Sequence, residues 1–270
     1  MTGPFSYRLL NVFTEGDVPF TGNPLCVFED GSDLTPAQMQ SLALQFNLSE
    51  TTFVTSTHML DDELQADAAV RIFTPAFELP FAGHPTLGTA HVVRDLLGAG
   101  DSIVLRVPAG DIPVEATGDT WTLQAQPPRH RLVEAARDDL AALVSLPADA
   151  IIEEPLWVNT GVEQLVIPLR SAADVRAAIP DTARTRGFGP PEGETMLYLW
   201  APAGGNQTVA DEIEARMFAV FRQTVIEDPA TGSACANLGG WFVVNGDTGL
   251  SRTIHQGSAV GRPQVYSPAR

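Results

Sequence analysis

Three ionisable side chains stand where the chain changes direction: Glu50 in Asn47-Leu48-Ser49-Glu50-Thr51-Thr52, His84 in Pro80-Phe81-Ala82-Gly83-His84-Pro85, and Asp228 in Glu227-Asp228-Pro229-Ala230-Thr231-Gly232-Ser233. Glu50 lies where a polar turn hands over to a β-branched run, a junction that can aim one side chain into a cleft. His84 opens a helix-compatible pattern that runs to Gly98, and Asp228 precedes a second start of the same grammar at Gly232. A helix start carries unpaired backbone N–H groups and the positive end of the macrodipole, so both stretches suit a carboxylate or phosphate. A carboxylate in a closed, partly apolar site can act as base and then as acid within one turnover. The same residues also fit structural roles: Glu50 as an exposed or turn-capping residue, His84 as a helix-start residue satisfied by backbone, and Asp228 as a turn former.

Composition narrows the chemistry. The 270 residues carry a formal net charge of −17, and all 16 basic residues are arginine. Without lysine there is no Walker-type phosphate loop, no pyridoxal phosphate Schiff base and no other lysine imine chemistry. So acidic a chain, with no arginine cluster, repels nucleic-acid phosphates, and the charge reads as solubility. The five histidines are scattered, and His84 and His91 alone do not make a zinc site, so no metal is expected. No apolar run of about 18 residues suggests a membrane span, and no basic-then-apolar leader is visible, so the expected location is the cytoplasm. In that setting Cys26 and Cys235 read as buried thiols rather than a disulfide.

The elements that must position these residues fall into two similar halves, expected as domains 1–126 and 127–270 around a Gln126-Pro127-Pro128-Arg129 crossing. In the first, strands at 7–13 and 25–28 form a hairpin, and Thr35-Pro36 starts a helix that Asn47 stops. A strand at 68–73 leads to the helix from about 84, and strands at 103–107, 112–116 and 121–125 follow. In the second, a helical run at 135–146 precedes strands at 156–158 and 164–168. Ser171 caps a helix through Ile179, residues 184–194 form a loop, and strands at 196–200 and 215–221 lead to a small-residue helix from about 232. Strands near Thr253 and at 261–266 close the chain. Gly22-Asn23 before Leu25-Cys26-Val27-Phe28 matches Asn159-Thr160-Gly161 before Gln164-Leu165-Val166-Ile167, and Gly83 matches Gly232, which suggests an internal duplication.

Taken in order, Gly22-Asn23-Pro24, Asn47-Leu48-Ser49-Glu50-Thr51, Thr74-Pro75, Glu78-Leu79-Pro80-Phe81-Ala82-Gly83-His84-Pro85-Thr86, Arg216-Met217-Phe218, Glu227-Asp228-Pro229-Ala230-Thr231-Gly232-Ser233-Ala234, and Gln256-Gly257 with Gly261-Arg262-Pro263 resemble the successive motifs of the phenazine biosynthesis PhzF family. The resemblance implies an α+β, diaminopimelate-epimerase-like fold: two pseudo-symmetric domains, each a curved mixed sheet wrapped around a central helix, with the active site between them. In that fold the last strand often returns to the first domain. It also implies a cytoplasmic homodimer that works on a small anionic substrate without metal or organic cofactor. The implied activity is isomerisation of a small cyclic amino acid or carboxylate such as trans-2,3-dihydro-3-hydroxyanthranilate, a step of phenazine biosynthesis. Carried over by motif, Glu50 takes a proton from C3 and returns one to C1. His84 and Asp228 assist it, and Asn23, Gly83, Gly232 and Ser233 bind the substrate.

Two other readings share the fold. One is a cofactor-independent racemase or epimerase: the two-thiol kind would place cysteines just before the glycine-rich helix starts, where this chain has Ala82 and Ala230, which leaves a stereochemical reaction that uses Glu50. A non-catalytic binding protein would keep the fold without turnover, and the intact Glu50, His84 and Asp228 set speaks against it.

Overall fold

The computed structural model describes residues 4–16, 18, 20–57, 65–185, 188–189, 195–203, 212–221, 224–247, 249 and 251–266. The chain divides into two units, Met1–Val12 with Asn23–Gln124 and Phe13–Gly22 with Ala125–Arg270. The loop residues 13–22 thus group with the second unit although the strands on either side of them belong to the first.

The first unit begins with β1 (Tyr7–Val12) and β2 (Asn23–Phe28), an antiparallel hairpin. Helix α1 (Pro36–Phe46) is specified locally: Thr35 and Gln38 form a capping box, Pro36 sits in the first turn, and Asn47 stops the helix in the left-handed region at φ 52°. Its end delivers the chain directly into β3 (Glu50–Thr57), which runs parallel to β2 with Leu25 opposite Glu50. Strands β4 (Ala68–Phe73) and β5 (Glu78–Leu79) lead to α2 (Gly83–Leu97), and β6 (Ser102–Val107), β7 (Gly110–Thr117) and β8 (Thr120–Leu123) finish the unit. The sheet order is β1-β2-β3-β4-β6-β7-β8, with β5 on β4.

The two faces of this sheet bury different helices. Cys26, Phe28, Phe53 and Phe73 pack with Met39 and Ala43 of α1, whereas Leu25, one residue out of phase with Cys26, lies against Gly88 of α2. A Cβ on Gly88 would come within 2.5 Å of Leu25 Cδ2, so the missing side chain sets how closely α2 approaches the sheet. Strand alternation puts Glu50 on the face of Thr52, whose hydroxyl lies 2.8 Å from that of Thr89 on α2. Glu50 therefore points toward the α2 side.

The second unit repeats this order. Strand β9 (Arg129–Leu132), where the sequence shows only an interdomain crossing, pairs with β10 (Leu156–Asn159). Helix α3 (Arg137–Ala142) is shorter than the 135–146 expected, because Ala136 offers no side-chain cap and Ser145 turns left-handed at φ 57°. The hairpin β10–β11 (Glu163–Pro168) is followed by α4 (Ala172–Ala177) and α5 (Thr182–Thr185), then β12 (Thr195–Pro202), parallel to β11. Next come β13 (Glu212–Phe221), β14 (Thr224–Asp228), α6 (Gly232–Val244), β15 (Thr253–Gln256) and β16 (Gln264–Tyr266). The order is β16-β15-β13-β12-β11-β10-β9 with β14 on β13. Parallel pairs β11–β12 and β13–β15 match β2–β3 and β4–β6, and α6 takes the place of α2, which is the duplication expected from the turn grammar.

Because both faces of the second sheet are covered at its centre, β11 and β12 read as near-continuous apolar runs. Leu165, Ile167, Leu197 and Leu199 face a core with Leu140 of α3 and Val175 of α4. Val166, Tyr198 and Trp200 face Leu238, Trp241 and Phe242 of α6. Among the described residues, no helix is long and apolar enough to cross a membrane.

Candidate active site

In the first unit three of the expected residues converge. Asn23 opens β2, Glu50 opens the neighbouring β3, and His84 is the second residue of α2. Glu50 Oε2 lies 2.8 Å from His84 Nδ1, and His84 Nε2 lies 3.2 Å from the Asn23 carbonyl oxygen. The imidazole is buried, with only 5% of its side chain exposed, while Glu50 retains 19%. A carbonyl oxygen can only accept, so Nε2 carries a hydrogen and donates it. Nδ1 and Oε2 then hold a single proton between them: carboxylate beside imidazolium, or carboxylic acid beside neutral imidazole. The second oxygen, Glu50 Oε1, has no partner among the described residues. One carboxyl oxygen is thus anchored and the other is open, an arrangement that can take a proton and give one back. Gly83 stands at the first position of α2, preceded by Ala82, which has no side chain to cap the helix.

The second unit holds the other predicted residues. Asp228 closes β14, a strand absent from the sequence reading, and pairs with Met217 of β13. Its Oδ2 accepts a 2.6 Å hydrogen bond from the Thr231 hydroxyl. That contact diverts Thr231, the N-cap residue of α6, so this helix too begins without a side-chain cap. Gln256 Nε2 donates to the Asp228 carbonyl at 2.7 Å and to Thr231 Oγ1 at 3.1 Å, and Tyr266 donates to Gln256 Oε1. Burial pushes the Tyr198 and Tyr266 phenols well above their ordinary range, so they serve as neutral donors. The Asp228 carboxylate is thus held by a neighbour that is itself held. Gly232 and Ser233 are the first two residues of α6, and Ser233 Oγ lies 3.1 Å from Gln164 Nε2.

Gln164, Asn237, Thr231 and Tyr266 carry no role that follows from sequence alone. The available signal was a polar residue where the fold demands burial: Gln164 leads the apolar Leu165-Val166-Ile167, and Asn237 sits inside the small-residue helix; both are fully buried. Among the described residues there is no group of three or more His, Cys, Asp or Glu side chains able to hold a metal.

The family profile described as phenazine biosynthesis-like protein, PhzC-PhzF, matches residues 10–266. The chain belongs to the PhzF family. An uncharacterized isomerase of Pasteurella multocida is 39% identical over 97% of this chain and 86% of its own. A trans-2,3-dihydro-3-hydroxyanthranilate isomerase of Pseudomonas fluorescens is 32% identical over 96% and 88%. In fold, a Bacillus anthracis PhzF family protein superposes with a TM-score of 0.82 at 21% identity, over 97% of this chain and 88% of that one. A hydroxyproline epimerase of Agrobacterium vitis superposes with 0.56 at 11% identity, over 96% and 82%, which extends the shared architecture to the wider diaminopimelate-epimerase-like fold. This PhzF-family protein is thus an isomerase of a small molecule.

Proposed function

We propose that this PhzF-family isomerase moves a proton within a small cyclic amino acid or carboxylate such as trans-2,3-dihydro-3-hydroxyanthranilate, with Glu50 as the sole acid–base shuttle. The observation that carries the proposal is the Glu50–His84 pair at 2.8 Å, with Nε2 donating to the Asn23 carbonyl. In the proposed step the Glu50 carboxylate, through its open oxygen, takes the C3 proton of the substrate as the ring electrons shift. The resulting carboxylic acid then returns a proton to C1, so no net proton is gained or lost. His84 keeps the second oxygen in place and supports either protonation state by moving one hydrogen along the Nδ1–Oε2 contact. The relative named for that reaction, at 32% identity, supports the substrate class.

Asp228 assists as a fixed acceptor, and Asn23, Gly83, Gly232 and Ser233 bind the substrate. The uncapped starts of α2 and α6 support a role in holding an anionic group without lysine. On the family resemblance, the proposal includes a homodimer in the cytoplasm that uses no metal or organic cofactor. A two-thiol racemase has no support: Ala82 and Ala230 stand where its cysteines would, and burial pushes the Cys26 thiol up to about 12 and the Cys235 thiol higher.

The test is proton NMR in D2O with trans-2,3-dihydro-3-hydroxyanthranilate and a panel of cyclic and linear amino acids. Wild type should consume the dihydro-ring signals and Glu50→Gln should lose about 10²–10⁴-fold in rate, the range of general acid–base contributions. Turnover unchanged in Glu50→Gln removes Glu50 from the mechanism. An amino acid exchanging its Cα proton while the dihydro compound stays untouched transfers the reading to a racemase.

A further inference from the structure

The direction of every hydrogen bond leading to Ser233 is fixed by two backbone groups. Asn237, fully buried in α6, accepts at Oδ1 from the Thr160 N–H at 2.8 Å and donates from Nδ2 to the Val162 carbonyl at 2.9 Å. An N–H can only donate and a carbonyl can only accept, so this amide has one possible orientation. Its Nδ2 also lies 2.9 Å from Gln164, which must therefore present Oε1. The Gln164 amide nitrogen then faces Ser233 Oγ at 3.1 Å and Met196 Sδ at 3.9 Å, both acceptors. Ser233 Oγ accepts, and its own hydrogen meets no acceptor among the described residues.

We propose that Gln164 is a positioning residue that directs the Ser233 hydroxyl hydrogen toward ligand, with Asn237 setting the direction of Gln164. This inference rests on the proposed site role of Ser233 and narrows it. With one of its two lone pairs taken, Ser233 offers its hydrogen to an acceptor atom, such as a carboxylate oxygen, in preference to receiving an ammonium group. A serine with both lone pairs free serves either equally; one lone pair taken by a buried amide tilts the site toward the acceptor.

The test uses 3-hydroxyanthranilate, a stable aromatic acid, and 2-aminophenol, which lacks only the carboxylate, as calorimetric probes of wild type, Ser233→Ala, Gln164→Met, Gln164→Glu and the double variants with Ser233→Ala. Wild type should favour the acid. Ser233→Ala should reduce that preference about ten- to hundredfold, the value of one hydrogen bond to a charged group. Gln164→Glu keeps an oxygen for Asn237 but presents another to Ser233, turning the hydroxyl inward, and should match Ser233→Ala. Gln164→Met, a neutral isostere for the case in which the buried carboxylate prevents folding, should fall between. Each double variant should equal Ser233→Ala alone, and 2-aminophenol affinity should stay constant throughout.

Additive losses in the double variants, or equal loss for both probes, overturn the inference, since a merely structural glutamine would act on both. Preference that follows the predicted order while trans-2,3-dihydro-3-hydroxyanthranilate is not turned over supports the positioning role and rejects the reaction. Wild type that binds neither probe overturns both.

Discussion

Replacing Arg216 should destabilise the second unit more than any other surface-proximal arginine, and the size follows from its contacts. Its guanidinium meets Glu227 bidentately at 2.9 and 2.7 Å and donates to the Val175, Arg176 and Ala178 carbonyls at 3.2, 3.1 and 2.9 Å. Those carbonyls close α4, which explains why that helix ends at Ala177 and not at the Ile179 expected from sequence. Both side chains are nearly buried, with 12% and 13% exposed, so the pair is neither strongly screened nor free to rehydrate. Arg216→Ala leaves a desolvated carboxylate and three carbonyls, a loss of about 3–5 kcal/mol, or roughly 6–20 °C in Tm for a unit of this size. Arg216→Lys keeps the charge but cannot fork across both oxygens and reach the helix end, so it should recover less than half. Arg216→Met with Glu227→Gln should be milder than Arg216→Ala alone, because it removes the stranded charge. The assay is denaturant and thermal unfolding followed by circular dichroism. A loss below about 1 kcal/mol for Arg216→Ala, or a double variant as damaging as the summed singles, refutes this account.

Two glycines and the thiols give further checks. A Cβ on Gly257 would meet the backbone oxygens of Arg262 at 2.2 Å and Pro229 at 2.6 Å, and the residue sits at φ +79°, so Gly257→Ala should cost more than about 3 kcal/mol. Gly88→Ala presses instead on the side-chain ends of Leu25 and Val12 and should cost about 1–3 kcal/mol; thermal melts giving the reverse order would refute the steric reading. At pH 8 neither Cys26 nor Cys235 should react with a thiol reagent until denaturant is added, because burial keeps both protonated. A Cys26 thiol at about 12 keeps its proton in the folded state while the unfolded chain ionises from about 9. Its stabilising effect is thus complete below pH 9 and is lost as pH rises toward 12, by up to about 1.4 kcal/mol per pH unit. Cys26→Ala should flatten that alkaline slope, measured by denaturant midpoints between pH 8 and 11; an unchanged slope removes Cys26 as its source.

Legibility followed locality. Helix α1 was readable because Thr35, Pro36, Gln38 and Asn47 specify both its ends within one segment. The starts of α2 and α6 were readable from Gly83 and Gly232, although neither has a side-chain cap, because the surrounding prolines and glycines leave few alternatives. Strands β9 and β14 were not, since Arg129-His130-Arg131-Leu132 is exposed along its length and Thr224–Asp228 gains its identity only by pairing with β13. The Glu50–His84 contact joins residues 34 apart, and the Asn237–Gln164 contact joins residues 73 apart. No periodicity reports such pairings; the ordered family motifs put Glu50 and His84 in one site without pairing them, and the second contact has no motif to announce it.

The duplication also explains how one scaffold position could acquire two chemistries. His84 and Ser233 both occupy the second place of a helix whose start lacks a side-chain cap, after Gly83 and Gly232. At the first, the buried ring faces a carboxyl group, and the hydrogen between Nδ1 and Oε2 can reside on either partner. At the second, the hydroxyl faces a primary amide, which neither gains nor loses a proton near neutral pH, so the contact has a single state. Under the proposed mechanism this difference divides the labour: proton transfer belongs to the helix start with an ionisable partner, and recognition belongs to the one with a neutral partner. Exchanging Gln164 for glutamate therefore does not build a second Glu50, because Ser233 has no ring to share the proton and the donor needed for an anionic ligand is turned away.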